Sequence, residues 1–387
     1  MIPVNSNLAQ SLGVLLSLAG IGYLALAVVA VARFRERPSH GRAAFRPPVT
    51  LMVPAYGAQP GLYECLRSLC AQDYPHFQLI FGLHDAGDPA RPVIERVMGE
   101  FPELDATLVI DRRMIGANPK NCNLANMYPA AKHDVIVMVD SDVRVGCDFV
   151  AVITAPLADP AVGGVTCIYK AAAAGRFASA LGAVAINDWF VPSALVNVAI
   201  RDLEVCYGAA IAVARPTLER IGGFAAMASA AAQDFVFGQE LVRHGYKIRL
   251  APVLVETIVA EPGFKALFNH QLRWNRATRA CRPLDHALSV VTHPLPLAAA
   301  LLLASGPTAG ATGLLLVLMA LRLWLHFLVR RRIGIAGPAM PWLVPVEECL
   351  AFAVWLTSFF VRNVRWGRRQ LRVMGHSRLV AAEEDRA

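Results

Sequence analysis

Two aspartates one residue apart, Asp140 and Asp142, interrupt the otherwise apolar run DVIVMVDSDVRV at residues 134–145. Paired hard oxygen donors suit a divalent cation that holds a diphosphate, provided the backbone sets them at the rim of a ligand site. The stretch before them is short, rich in β-branched residues and preceded by polar sequence, so it reads as a strand buried on both faces. Asp140 and Asp142 then stand at its carboxyl end, the ligand-binding edge of an open α/β sheet. An isolated Asp-x-Asp also opens a turn with no further role, so the surrounding elements must decide.

Residues 47–286 alternate strand and helix signals. Strand-like runs at 49–55, 78–83, 107–110 and 135–139 are separated by segments of helical length. That pattern predicts an α/β domain with a mostly parallel sheet and helices on both faces. Neither G-x-G-x-x-G nor G-x-x-x-x-G-K-[ST] occurs, so the usual dinucleotide and P-loop sites are not supported. The eight cysteines include no CxxC pair and lie in apolar surroundings, which predicts reduced packing residues rather than disulfides or metal ligands.

Composition places this domain at a membrane. The 387 residues are 56% hydrophobic, and the apolar residues are concentrated in blocks. Residues 8–32 carry no charge over 25 positions, about 37 Å as a helix, enough to cross roughly 30 Å of hydrocarbon. Arg33, Arg35, Arg37, Arg42 and Arg46 follow, where a cleaved signal peptide would have small residues, and the positive-inside rule sets them in the cytosol. A second uncharged block at 287–321, divided by Gly306-Pro307, predicts spans near 288–305 and 309–329, closed by Arg330, Arg331 and Arg332. A third span at 342–361 would put Arg362, Arg365, Arg368, Arg369 and Arg372 on the wrong side. Pro338, Pro341, Pro345, Glu347 and Glu348 therefore favour a re-entrant or interfacial path at 338–361. The apolar stretch 177–200 contains Asn187, Asp188 and Pro192 and reads as an interfacial helix facing lipid. The resulting division is a 1–46 anchor and basic linker, a 47–286 cytosolic domain, a 287–375 membrane domain and a 376–387 tail. The net charge of +8 sits near the membrane edges and suits anionic lipid, with no nucleic-acid signature beside it. The sequence sets no oligomeric state.

Several ordered motifs carry a family resemblance. Residues 49–75 (VTLMVPAYGAQPGLYECLRSLCAQDYP) resemble the opening of a family 2 glycosyltransferase. Residues 81–89 (FGLHDAGDP), 116–126 (GANPKNCNLAN), 140–145 (DSDVRV), 233–235 (QDF) and 270–274 (HQLRW) follow in the order of its ceramide glucosyltransferase-like branch. Within that branch, 162–169 (VGGVTCIY), 289–296 (SVVTHPLP) and 351–360 (AFAVWLTSFF) are most similar to hopanoid biosynthesis-associated glycosyltransferases. The resemblance implies a nucleotide-diphospho-sugar transferase fold with flanking transmembrane helices, a UDP-sugar donor, a membrane lipid acceptor, and Mg²⁺ or Mn²⁺ as cofactor.

The resemblance also assigns roles that the residue chemistry allows. Asp85 would contact the uracil or ribose, though it could equally make a turn or cap before Asp88-Pro89. Lys120, just after a plausible helix start at Asn118-Pro119, would meet nucleotide oxygens, or else be a solvated lysine. Asp140 and Asp142 would hold the metal and diphosphate. Asp234 would be the general base of a direct, inverting displacement, with helix capping as its alternative. His270, Arg273 and Trp274 would complete the donor site, Arg273 by clamping phosphate and Trp274 by walling a sugar or lipid head; otherwise the Arg-Trp pair is an interfacial anchor. Two departures, VPAY at the first strand end and Gln233 before Asp234, bear on sugar and acceptor choice. The implied reaction moves N-acetylglucosamine to a hopanoid polyol. Ceramide or another sphingolipid or glycerolipid acceptor, a processive polysaccharide synthase, and a non-catalytic scaffold or transporter are the alternatives.

Overall fold

The four expected strand runs form one half of an eight-stranded sheet in the computed structural model. They are β1 (Val49–Pro54), β2 (Phe77–Leu83), β3 (Asp105–Ile110) and β4 (Val135–Val139). All pair in parallel, β2 between β1 and β3, and β1 between β2 and β4. The other half consists of β5 (Val143–Arg144), β6 (Val162–Ala173), β7 (Ala210–Ala214) and β8 (Lys247–Val259), in the order β3-β2-β1-β4-β7-β6-β8-β5. Strand β7 runs antiparallel to both β4 and β6, and β5 antiparallel to β8.

Both faces of the parallel half are covered because β1, β2 and β4 are apolar at nearly every position, the buried Thr50 and Gln78 bonding to one another at 2.9 Å. Leu51, Val53, Leu79, Phe81, Val137 and Val139 meet Leu62, Leu66 and Leu69 of the Leu62–Cys70 helix and Ile94 and Val97 of the Arg91–Glu100 helix. Leu62, Cys65, Leu66 and Leu69 recur at helical spacing, which is why one stripe of that helix is buried. The intervening residues Met52, Ile80 and Ile136 are equally buried, and the Pro119–Met127 helix packs on β1 and β2. Each fully buried Leu there contributes about 1.5–3 kcal/mol. This is the expected α/β class, with helices on both faces of the sheet.

The structure describes residues 6–36, 45–175, 177–361, 363–366 and 369–381. Arg37, Arg42, Arg362 and Arg368 of the expected basic flanks, and residues 382–387, lie outside them. The chain divides into two compact units: a sheet unit of residues 35–170, 201–260 and 370 onward, and a helical unit of residues 1–34, 171–200 and 261–369.

Among the described residues, three helices of the helical unit are each long and apolar enough to cross a membrane: Gln10–Arg33, Phe177–Ile200 and Ala309–Ile333. The polar residues that made 177–200 read as interfacial are buried and bonded within this unit. Asn187 bonds both backbone groups of Ala171, and Asp188 pairs with His326 at 2.6 Å. The segment expected to span near 288–305 consists of two helices, Pro283–Thr292 and Pro294–Ser305, that meet at 68° and are together long and apolar enough for one bent span. The Leu343–Thr357 helix has 15 residues, about 22 Å, short of a hydrocarbon core of roughly 30 Å. None of the eight cysteines forms a disulfide; five are buried, while Cys147 and Cys349 are exposed.

Gly238 lies in the Gln233–Arg243 helix, where a Cβ would stand 2.6 Å from Val205 Cα and 2.9 Å from both Cys206 N and Glu204 O. Backbone cannot yield as a flexible side chain does. Gly238→Ala should therefore lower stability by about 1–3 kcal/mol, although the same change in an open helix gains about 1 kcal/mol. Thermal unfolding of the full chain in detergent distinguishes the two signs.

Candidate active site

An asparagine frame fixes the position of Lys120. Asn118 caps the Pro119–Met127 helix by accepting from Asn121 N–H at 3.1 Å, and Pro119 occupies the first turn. The Asn118 amide donates to Ala230 O at 2.7 Å, that of Asn121 to Phe224 O at 2.6 Å, and that of Asn123 to Gly82 O at 2.8 Å. Asn126 donates to Asp111 O and Arg113 O. The helix is thus tied to both β2 and the segment before Asp234. His84 adds a clamp through Asp111 O and Pro119 O.

Lys120 so placed meets the acidic strand end. Its ammonium is ion-paired with Asp140 and donates to Gly208 O at 3.2 Å. Asp140 and Asp142 follow β4 directly, and Val143 N–H closes a turn onto Asp140 O at 3.2 Å. Asp142 accepts from Thr257 Oγ1 at 3.3 Å, and its carbonyl accepts from Ile258 N–H at 3.0 Å. Burial first, and Asp140 second, push the Asp142 carboxyl up to about 6. Asp234 belongs to the same environment. It lies in the first turn of its helix, accepts from Phe235 N–H at 2.9 Å, and would leave only 3.0 Å between its Oδ2 and a Cβ at Gly208. The residue preceding the helix is Ala232, so Asp234 is not its N-cap. Burial raises its carboxyl, Lys120 lowers it, and Asp140 raises it again.

Three carboxylates therefore share one ammonium. Tyr169 reports the same excess: burial, then Asp234, Asp140 and Asp142, all raise its phenol. Among the described residues no group of three or more His, Cys, Asp or Glu is arranged to hold a metal ion. Asp140 and Asp142 offer two oxygen ligands in surroundings short of positive charge. That fits a cation whose remaining ligands come from a diphosphate and water.

Asp85 stands beyond the end of β2, two strands from β4. It accepts from Gly87 N–H at 3.0 Å and pairs with Arg112 at 2.8 Å, and these contacts hold its carboxyl below the usual range. The neighbouring Asp88 is the residue that accepts from Ala90 and Gly57 N–H, each at 2.8 Å. Asp85 is exposed and makes the turn rather than a helix cap.

His270, Arg273 and Trp274 lie on the Phe264–Cys281 helix of the helical unit. The His270 ring is 4.3 Å from that of Trp274, and its Nδ1 is 2.7 Å from Glu261 Oε1. Burial, with Arg273 adding to it, lowers the His270 imidazole, while Glu261 raises it. Ser179 Oγ accepts from Glu261 N–H at 2.9 Å and so ties down the backbone of the residue whose carboxylate meets the histidine. Trp274 remains half-exposed.

Sequence reasoning missed the asparagine frame, Gly208, Tyr169, Glu261 and a late segment of the chain. Asn118, Asn121 and Asn126 follow helical spacing, which was the available signal. Part of the stretch read as a tail pairs with the approach to Asp234: Ser377 O accepts from Ala231 N–H at 2.6 Å, Ser377 Oγ from Ala232 N–H at 2.8 Å, and Ser229 O from Leu379 N–H at 2.7 Å. Ser377 does this with φ of 62°, a left-handed conformation that costs about 1–2 kcal/mol.

Comparison with known proteins adds a family. A model of glycosyl transferase family 21 matches residues 12–379. A ceramide glucosyltransferase of Gibberella zeae is 33% identical over 144 residues, 34% of this chain and 26% of that protein. Ceramide glucosyltransferase 1 of Caenorhabditis elegans is 24% identical over 241 residues, 61% of this chain and 51% of the relative. The chain thus spans a quarter to a half of the length of these relatives. Among solved structures, the mannosyltransferase PcManGT of Pyrobaculum calidifontis, in complex with GDP-Man and Mn²⁺, superposes with a TM-score of 0.59. It is 22% identical, and the match covers 91% of this chain and 99% of that one. That likeness supports the fold, and the family match is to family 21 where the motifs had suggested family 2. The chain belongs to glycosyl transferase family 21.

Proposed function

We propose that the protein is a membrane-embedded, inverting hexosyltransferase that moves N-acetylglucosamine from a UDP donor to a hydroxyl of a hopanoid polyol. The observation that carries the reaction class is the meeting of Lys120, Asp140, Asp142 and Asp234 around one strand end. The 289–296 and 351–360 motifs support the choice of acceptor. A ceramide acceptor is the second reading, favoured by the ceramide glucosyltransferase relatives. The arginines after the first helix support a sheet unit on the cytosolic side of a bacterial inner membrane.

In this mechanism Asp234 accepts the proton of the acceptor hydroxyl as its oxygen bonds to the anomeric carbon. The bond from that carbon to the UDP oxygen breaks, its electron pair leaves with UDP, and the configuration inverts. Asp140 and Asp142 would hold Mg²⁺ or Mn²⁺, which when bound supplies Lewis-acid stabilisation of the departing diphosphate. Lys120, within reach of the same carboxylates, stabilises phosphate oxygens, and Asp85 accepts from the uracil or ribose. His270, Arg273 and Trp274 are assigned to the donor by the resemblance, with Glu261 keeping His270 oriented.

Purified protein supplied with labelled UDP-N-acetylglucosamine or UDP-glucose, and with hopanoid polyol, ceramide or diacylglycerol, tests the proposal. Transfer of N-acetylglucosamine to the hopanoid alone supports it; transfer only to ceramide selects the second reading, and a polymeric product would mean a synthase. Asp234→Asn should cut turnover by about 100-fold or more while UDP binding persists. Unchanged turnover would remove the base assignment.

The pH dependence of cation binding follows from Asp142. Its carboxyl is raised to about 6, so it is ionised above that pH and carries a competing proton below it. Affinity for Mn²⁺, measured by titration in the presence of UDP, should be level above about pH 6 and fall by up to about tenfold per unit below it. A fall that begins only near pH 4 would contradict this environment.

A further inference from the structure

A buried polar network in the helical unit carries hydrogen-bonding capacity that no described residue meets. Arg322 donates through Nε to Glu348 Oε2 at 2.6 Å and through Nη1 to Asp188 O at 2.7 Å. His326 Nδ1 is 2.6 Å from Asp188 Oδ2, and Leu295 N–H donates to Glu348 Oε1 at 2.8 Å. Glu347, next to Glu348, is 1% exposed, and neither of its oxygens has a partner among the described residues. Nε2 of His326, a residue 3% exposed, likewise has none. A carboxyl withdrawn from water without a donor is costly, so water or a ligand must supply one.

The depth of the network points to a lipid. Along the Ala309–Ile333 helix, His326 and Arg322 precede the basic end at Arg330 by about 6 and 12 Å. Trp342, exposed and stacked on Phe177 at 5.9 Å, marks a membrane–water boundary, and Glu347 follows it by about 7.5 Å of chain if helical. Interfacial Trp rings sit at head-group level, so the hydroxyl of a lipid seated between the helices one to two turns below Trp342 would meet Glu347. Three carboxyl groups against one guanidinium and one imidazole disfavour a phosphate, and the Arg322 contacts are directed to Glu348 and Asp188. Glu347 needs a donor, and His326 Nε2 either gives or takes a hydrogen bond; a hydroxyl can serve both.

We propose that Glu347 and His326, braced by Asp188, Arg322 and Glu348, form a subsite for hydroxyls of the lipid acceptor within the membrane helices. This rests on the lipid-acceptor reading above. Binding of radiolabelled hopanoid polyol to the full chain in nanodiscs should weaken by about tenfold in Glu347→Leu, the loss of roughly one good hydrogen bond. The isosteric Glu347→Gln should lose less, and UDP should bind both variants as it does the wild type. A hopanoid hydrocarbon without hydroxyls should bind wild type and variants alike. Wild-type affinity for the polyol in Glu347→Leu overturns the subsite and leaves bridging water. Equal weakening toward the hydrocarbon, or a ten-fold change toward phosphatidylethanolamine instead, also overturns it. If Glu347→Leu binds no UDP and so has not folded, polyol binding by Glu347→Gln decides, with wild-type affinity and wild-type acceptor KM as the overturning result. If the wild type glycosylates ceramide or diacylglycerol and not the hopanoid, the acceptor identity fails separately, and the same variants are measured with the hydroxylated lipid that reacts.

Discussion

A surplus of negative charge at the end of β4 is the constraint on which the sheet unit depends. Asp140, Asp142 and Asp234 share Lys120 as their common cation, and burial makes each uncompensated charge more costly than it would be in water. Such a cluster is tolerable only if its one ammonium cannot wander. The asparagine bonds of the Pro119–Met127 helix perform that service, drawing on β2, the loop after β3 and the segment before Asp234. Under the proposed reading, a cation carried by a nucleoside diphosphate would offset the same surplus of negative charge.

The parallel half of the sheet was legible because strands buried on both faces leave continuous apolar runs, and 49–55, 78–83, 107–110 and 135–139 all became strands. Asp140 and Asp142 were legible because chemistry ends such a run abruptly. The helix start at Asn118-Pro119 also showed, through an asparagine cap followed by proline in the first turn. The antiparallel strands were less visible. In β8 buried, half-buried and exposed positions are mixed, so no single period marks it. Glu261 and Ser377 act through contacts distant in sequence, which no local pattern encodes. The roles of Lys120 and Asp234 were carried by resemblance, and their contacts with Asp140, Gly208 and Phe235 appear only in the folded chain.

Polar residues in apolar segments were the least reliable guide. Asp188 and Asn187 seemed to argue against a deep position for 177–200, yet both are satisfied within the helical unit. Glu347 and Glu348 suggested a departure from simple spanning, and their helix is indeed short. The difference lies in pairing. A carboxylate whose partner sits on another helix is inexpensive, and one whose partner is missing signals a role. Window hydropathy weighs the two alike, because it sees composition and not contact.

Ser377 and Leu379 bond to Ser229, Ala231 and Ala232, while Asn118 reaches Ala230 in the same stretch. Residues separated by more than two hundred and fifty positions thus meet around the approach to one aspartate. During translation the first two partners emerge long before the third. A nascent polypeptide short of residue 379 consequently lacks the bonds that Ser377 and Leu379 make to this approach, although the long apolar helices among the described residues all precede it in the chain.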